Sequence, residues 1–586
     1  MGLILKPALL DNLKCKVEGK TLFANDEARA LLAGRMDELC RPTDPMWQKV
    51  KQSPSRTVYR GEIDGKAIYL KHYHRKDLAR RLARMLGYSY ARTEMWFSSY
   101  LASRNIPATH SLAACCSPGC EWLATLAIEP SETADIWQNR NLQQGQPGQL
   151  KVRRLTIDLA RTIARMHEAG VIHRDLHAGN IIIRSDTPDP RCVIMDLHRM
   201  SKRPFLSRSA RAMNLAQLLH DRMDSTTRSE RLRFLKHYLA ASDVSGTLRG
   251  WQLMIDEFAQ RHRRKLYSHR DKRIFRDNRY FSRIQLGDTW SGHVVLASKR
   301  RTESSKAPDF EFKTDDWARA LAQPERLSEH HLATVIKDSP SGRVVRRHLK
   351  VGPHELDVIV KRSRRKHTWK LLIDCFRPAR AIRGFRLGHE LLTRGIPVAT
   401  PLACLQRRVG LLLLDNILIT EAHNARQLDR FLDEWLTGPA SADSPLAKGD
   451  RRRLANQVLW QMGRLLQRLH DNNYRHRDLK SPNMLVNWRP GQDPEILLVD
   501  MDGLRRVMWL TVRQRFQGLM RLNVSLLRCQ AVNHAGQLRL LLGYLRRTGV
   551  GRVNFKPYWR MLENWSSRKL RKQIRSRRKR QRASRR

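Results

Sequence analysis

VIHRDLHAGNIII, residues 171–183, is the stretch on which the fold turns. Its flanks, Val171-Ile172 and Ile181-Ile182-Ile183, are β-branched, which predicts a short strand, a polar turn and a second short strand. Asp175 and Asn180 stand five residues apart within the turn. That is the spacing of a phosphoryl-transfer loop, in which the aspartate takes a substrate hydroxyl proton and the asparagine holds Mg²⁺. A His-Arg-Asp triplet also arises by chance in a chain this rich in arginine, so the motif needs company.

The company is a second copy. Residues 474–486 read YRHRDLKSPNMLV, with an aspartate at 478 and an asparagine at 483. Each loop is approached by an amphipathic helical stretch, LARTIARMHEAG (159–170) and MGRLLQRLHDNN (462–473). Further upstream VKQSPSRTVYR (50–60) matches IKDSPSGRVVRR (336–347), and ARALLAG (28–34) matches ARALAQP (318–324); downstream VIMDLHRM (193–200) matches LLVDMDGL (497–504). The shared order makes the chain two tandem copies of one domain.

Each copy carries the same chemistry in the same sequence order. The alternating strands KAIYLKHY (66–73) and LDVIVKRS (356–363) place Lys71 and Lys361 among apolar neighbours, where an ammonium needs an anion. A basic helix follows, with Glu94 in the first copy and Glu390 in the second, each ahead of matching exits RNIPATHSL (104–112) and RGIPVATPL (394–402). Lysine paired to a helical glutamate is how a kinase-type site holds nucleotide phosphates. Asp196 and Asp500, each after an apolar strand, add the carboxylate that completes a hard-oxygen Mg²⁺ site with Asn180 and Asn483. Ile128-Glu129 and Thr420-Glu421 fall where the chain passes between lobes and offers backbone groups to adenine.

Neither Ser-Pro-Ser segment has a glycine-rich phosphate loop, so either Ser53, Ser55, Ser339 and Ser341 supply hydroxyl donors to the nucleotide or nucleotide binding is weak. The copies also differ: two residues after the expected base stands His177 in the first and Lys480 in the second. A lysine there stabilises a transferring phosphoryl group.

Bulk properties bound the rest. At 586 residues the chain exceeds one compact core. Lys and Arg number 111 against 56 Asp and Glu, a net charge of +55, which points to polyanionic partners: nucleic acid, an anionic membrane surface or an acidic substrate. No zinc-finger, RNA-recognition or homeodomain signature is present, so no specific nucleic-acid motif supports the first. No apolar run approaches the roughly 20 residues of a membrane span, and MGLILKPALLDNLKCKVEG is too soon interrupted for a signal peptide. Nine cysteines without paired CxxC spacing read as reduced, mostly buried thiols, and the chain is placed in the cytosol. Two basic, aromatic segments, RRKLYSHRDKRIFRDNRYF (263–281) and YWRMLENWSSRKLRKQ (558–573), are candidates to lie on anionic lipid.

With Asp-Leu-His-Arg at 196–199, His-Arg-Asp at 173–175 and no glycine-rich loop, the chain resembles the lipopolysaccharide kinase family of core heptose kinases and 3-deoxy-D-manno-octulosonic acid kinases. The resemblance implies an α+β fold of two tandem protein-kinase-like domains, each a small β-rich N-lobe and a helical C-lobe. It also implies ATP and Mg²⁺ as cofactors, an inner-core sugar of a membrane glycolipid as acceptor, and a peripheral place at the inner face of the cytoplasmic membrane. By position Lys71, Glu94, Asp175, Asn180 and Asp196 take the family's roles, as do Lys361, Glu390, Asp478, Asn483 and Asp500; the role of Asp502 stays open. The expected domains are 1–296 and 310–586, joined by a polar linker at 297–309 and ending in a basic tail from about 568 to 586. A Ser/Thr protein kinase with one regulatory copy, and a non-catalytic scaffold that binds polyanions, are the alternative readings. The sequence sets no oligomeric state.

Overall fold

The computed structural model describes residues 10, 12–43, 45–53, 55–74, 88–117, 119–184, 190–220, 226–297, 311–329, 333–364, 377–436, 448–529, 531–546 and 554–584. The chain forms two compact units, Met1–Arg264 and Lys265–Arg586. Each combines a seven-stranded antiparallel sheet with a helical part.

In the first unit the sheet runs Lys14–Val17, Lys20–Ala24, Ser111–Ser117, Cys120–Leu126, Lys66–Tyr73, Arg56–Ile63, Gln48–Gln52. Asp64 and Gly65, with φ of 49° and 72°, make the two-residue turn that pins Arg56–Ile63 to Lys66–Tyr73 in register. Period-two alternation then sorts that strand: Ile68 and Leu70 join Leu32, Met36 and Trp47 in one core, while Tyr73 packs into the core that includes the helix Tyr90–Ala102. Lys71 shares the face of Tyr73, which is how a lysine comes to face that helix. The helix begins at Ser89, whose hydroxyl accepts from Arg92 N, and the buried Glu121 carboxylate accepts from Tyr90 N and Ala91 N at 2.9 and 3.3 Å. A carboxylate on those orphan amides also suits the positive end of the helix dipole.

Below the sheet, Gly145–Glu168 ends at Gly170, whose φ of 75° turns the chain into the strand Val171–His173. Asn473, with φ 62°, makes the same turn in the second unit before Tyr474–His476.

The second sheet has the same order: Phe281–Leu286, Trp290–Val295, Pro401–Val409, Leu412–Glu421, His354–Ser363, Gly342–Val351, Thr334–Ser339. Its first two strands lie before residue 296, so the expected first domain of 1–296 ends too late. The expected linker 297–309 thus follows the second unit's first hairpin in the chain instead of preceding that unit. Residues 298–309 of that stretch lie outside the described residues.

Both segments expected to lie on lipid are instead packed. Phe281 meets Phe385 and His389, Arg394 lies over Tyr267, and Ile274 is buried. Along the helix Lys556–Ser584, Tyr558 stacks on Phe516 and Leu562 is buried, so its first turns cover the second unit's core. Cys40 and Cys120 form a disulfide, against the expectation of reduced thiols throughout, because the hairpin Ser111–Ser117/Cys120–Leu126 brings Cys120 to the helix Met36–Cys40. Among the described residues no helix is long and apolar enough to cross a membrane.

Candidate active site

In the first unit four charged side chains converge. Lys71 Nζ bonds Glu94 Oε1, and Tyr73 donates to Glu94 Oε2 at 3.0 Å. Lys71 Nζ also lies 3.6 Å from Asp196 Oδ1, and His198 Nδ1 stands 3.4 Å from Glu94 Oε2. Burial alone would push the Glu94 carboxyl up, but the charges of Lys71 and His198 outweigh it and hold the group down at about 2. Asp196 is likewise pushed up by burial and held well below the usual carboxylate range by Lys71 and Arg56. Both carboxylates are thus ionised at neutral pH. Removing one partner from such a buried pair costs about 3–5 kcal/mol, because the other charge is stranded.

The loop that opened the sequence reading is a relay of backbone bonds. Asp175 N donates to His173 Nδ1 at 3.2 Å, and His173 Nε2 reaches Met195 O at 3.0 Å, next to Asp196. Burial lowers the His173 pKa, which keeps the ring neutral with its proton on the nitrogen facing that carbonyl. Asn214 clamps the same residue, its Nδ2 donating to His173 O at 2.6 Å. Asn180 Nδ2 donates to Asp175 O at 2.9 Å, so its amide oxygen is the atom left for a cation. Met195 N donates to Asn180 O at 3.0 Å, which ties Asn180 beside Asp196. Asp175 itself is exposed. Asp196 has left-handed backbone geometry, φ 62° and ψ 47°, a strained conformation that costs of order 1–3 kcal/mol in a non-glycine residue.

Two serine expectations change. Ser53 Oγ donates to Arg56 O at 2.9 Å and accepts from Arg56 N at 3.1 Å; Ser339 Oγ donates to Gly342 O at 3.0 Å. Ser55 and Ser341 pair with Ser53 and Ser339. The Ser53 and Ser339 hydroxyls are thus engaged in closing their own turns. What the turn presents to the site is Arg56, whose guanidinium bonds both Asp196 oxygens at 2.9 Å. Sequence reasoning missed it. The signal was available, because the matching position in the second copy is Gly342.

The second unit keeps the loop and changes the centre. Asp478 N donates to His476 Nδ1 at 3.2 Å, His476 Nε2 reaches Asp500 O at 2.7 Å, and Asn483 Nδ2 donates to Asp478 O at 2.9 Å. Lys480 Nζ lies 2.7 Å from Asp478 Oδ2. Lys361, however, bonds Asp500 at 3.1 Å and Asp502 at 2.8 Å, not Glu390. Burial pulls the Lys361 pKa down, and the two aspartates more than reverse it. Glu390 accepts from Tyr474 OH at 2.6 Å instead. The reason is register. Twelve residues before the buried Ile106 stands Glu94, but twelve before the equivalent Ile396 stands Gly384; Glu390 lies six residues further on, about 9 Å along the helix. The backbone bonds Ile106 N to Leu101 O and Ile396 N to Leu391 O fix that equivalence. Asp502 occupies the place of His198, since Met200 pairs with His173 as Leu504 pairs with His476.

Glu129, expected to mark the passage between lobes, forms a two-point ion pair with Arg60. For a divalent cation the first unit offers an ionised carboxylate at Asp196 and an amide oxygen at Asn180, hard donors that fit Mg²⁺.

Comparison with known proteins gives the site a context. The model of the lipopolysaccharide kinase (Kdo/WaaP) family matches residues 47–238 and again 336–544, together over half of the chain. The chain is 31% identical over 122 residues to the lipopolysaccharide core heptose(I) kinase WaaP of Pseudomonas aeruginosa, covering 20% of this chain and 45% of that protein. It is 31% identical over 151 residues to a 3-deoxy-D-manno-octulosonic acid kinase of Xylella fastidiosa, covering 25% of this chain and 51% of the relative. The chain thus spans about half the length of the curated relatives it matches. A solved structure of WaaP in complex with acyl carrier protein is 23% identical, covering 41% of this chain and 98% of that one at a TM-score of 0.33.

Proposed function

The chain belongs to the lipopolysaccharide kinase (Kdo/WaaP) family, and from that premise we propose that it is an ATP-dependent phosphotransferase acting on a sugar hydroxyl of a lipopolysaccharide inner core or similar glycolipid. Each unit takes the family's protein-kinase-like fold, and the enzyme works peripherally at the inner face of the cytoplasmic membrane. The first unit carries the transfer. The observation behind that assignment is the Lys71–Glu94–Asp196 cluster, assembled there and without a counterpart at Gly384.

Bound MgATP supplies the phosphoryl group and the cation that offsets its charge. Lys71, fixed by Glu94, offers its ammonium to the phosphates. Asp196 and Asn180 would hold the cation, for which Arg56 would have to give up its hold on Asp196. Asp175 would take the acceptor hydroxyl proton as that oxygen bonds the γ-phosphorus, the bond from phosphorus to the β,γ-bridging oxygen breaks and ADP leaves. His173, neutral and bonded on both ring nitrogens, keeps the base loop and the metal strand in one frame.

The test is labelled-ATP transfer to purified lipopolysaccharide core, with generic protein as a parallel acceptor. Asp175→Asn is expected to lower the rate about 10²–10⁴-fold and Asp478→Asn to leave most of it. Retention of full activity by Asp175→Asn would reject the first unit as the working site. A second reading, transfer to protein from the second unit, is favoured only by Lys480 beside Asp478; it requires the opposite ranking of the two variants and labelling of the protein acceptor.

A further inference from the structure

The three most exposed large hydrophobic side chains among the described residues are Met508 at 84%, Phe205 at 79% and Trp509 at 70%. They occupy one structural position, met twice. In the first unit the strand Met200–Lys202 pairs with Val171–His173, the strand that leads into Asp175, and the chain then makes a short loop to the helix Arg208–Leu219. In the second, Leu504–Arg506 pairs with Tyr474–His476 and a loop of the same length reaches Val512–Leu526. Phe205 and Trp509 stand at matching points of these loops, each just before a buried leucine, Leu206 or Leu510.

These loops are built to hold their tips outward. Arg203 N donates to Gly170 O and Val507 N to Asn473 O on the side of the base loop. On the other side Ser207 and Thr511 cap the following helices, accepting from Ala210 N and Gln514 N. Leu206 and Leu510 anchor the backbone between these ties. An aromatic ring fixed in water by its neighbours gives up the stabilisation that burial would return. Finding that arrangement in both copies points to a surface that covers the ring.

The surroundings define the surface. There is no Asp or Glu from 197 through 220, and none from 503 through 562. Lys202 and Arg203 are exposed beside Phe205, and Arg505 and Arg513 beside Met508 and Trp509. Asp271 and Asp471, from other elements, pair with Arg506 and Arg515, while Lys202, Arg203, Arg505 and Arg513 pair with no carboxylate among the described residues. A bulky apolar tip flanked by such exposed cations matches an anionic bilayer, where rings enter the headgroup zone and Lys or Arg pair with phosphate. In the segments 263–281 and 558–573 the rings of Phe281 and Tyr558 pack against the protein and Tyr267 is buried, so this role falls to the loops.

We propose that the loops around Phe205 and around Met508-Trp509 are membrane-docking elements, each inserting its apolar tip into an anionic lipid surface beside its own base loop. The choice of a bilayer rests in part on the glycolipid acceptor proposed above. The test therefore reads lipid binding without turnover, so that the two ideas fail separately.

The full-length protein is sedimented with phosphatidylcholine vesicles and with vesicles containing roughly 30% phosphatidylglycerol. Binding is expected to the second only, and to weaken as salt rises several-fold. The triple variant Phe205→Ser/Met508→Ser/Trp509→Ser is expected to lose at least tenfold in partitioning while keeping its thermal midpoint and Mg²⁺·ATP affinity. Val50→Ser/Leu411→Ser, at exposed sites on a sheet strand and in a sheet hairpin turn, is expected to keep full binding. An unchanged partition for the triple variant overturns the proposal, as does binding that vanishes only when residues 568–586 are removed. Equal loss in the Val50/Leu411 control also overturns it, because the effect would then be general stickiness. Kinase activity lost through Asp175→Asn with vesicle binding intact leaves the docking proposal standing.

Discussion

The lysine of each unit solves one physical problem with a carboxylate placed differently. In the first, Lys71 meets Glu94 on the helix, and the residue two beyond Asp196 is His198. In the second, the helix offers only Gly384, and the position of His198 holds Asp502, which binds Lys361 at 2.8 Å. An ammonium on an apolar strand needs an anion, but physics does not say which element must bring it. The consequence is mechanical. Lys71 is held from the helix and shares Asp196 with Arg56; Lys361 is held by the very loop that carries Asp500.

The sharpest way to break this comparison is to remove each anion in turn. Glu94→Gln is expected to destabilise the first unit by about 3–5 kcal/mol and to weaken nucleotide binding. Asp502→Asn is expected to cost the second about 1 kcal/mol, since Lys361 and Asp502 are each about a third exposed, at 31% and 37%. Glu390→Gln should leave Lys361 unaffected. Two-transition calorimetry reads all three, and equal losses for Glu94→Gln and Asp502→Asn would erase the distinction.

Acid titration sharpens it further. Glu94 is held at about 2 against an ordinary 4.5, so its contribution is full above about pH 4.5 and is lost as pH falls toward 2. The midpoint of the first unit is expected to fall over that window, and Glu94→Gln to flatten the decline.

The expected effect at the turn lies between those of Glu94→Gln and Asp502→Asn. Arg56→Gly copies the second unit's Gly342 and removes two charged hydrogen bonds from Asp196. It is expected to cost about 1.5–3 kcal/mol of stability while raising affinity for Mn²⁺, a spectroscopic stand-in for Mg²⁺. Unchanged Mn²⁺ binding would show that Arg56 does not compete for Asp196.

The repeat and both loops were legible because their residues recur in order, and strand alternation was enough to turn Lys71 toward the helix. Glu390 misled because an acidic letter near a matching exit was taken for a matching place; only residue-by-residue spacing from Ile396 exposes the offset. Arg56 was hidden by attention to absent glycines. The first hairpin of the second unit, Phe281–Leu286 with Trp290–Val295, shares few letters with Lys14–Val17 and Lys20–Ala24, since strand pairing constrains alternation more than identity. The aromatic segments misled because an amphipathic pattern states that a face is covered and not by what.

That hairpin carries a practical warning. Trp290–Val295 is the neighbour that covers one side of Pro401–Val409. A chain divided at 297, where the polar composition invites a cut, would leave Pro401–Val409 as a nine-residue open edge whose first half is buried. Unpaired strand edges of that kind recruit other strands and aggregate. Insolubility of a second half produced from residue 297 would then report the missing hairpin and not an inability of that half to fold.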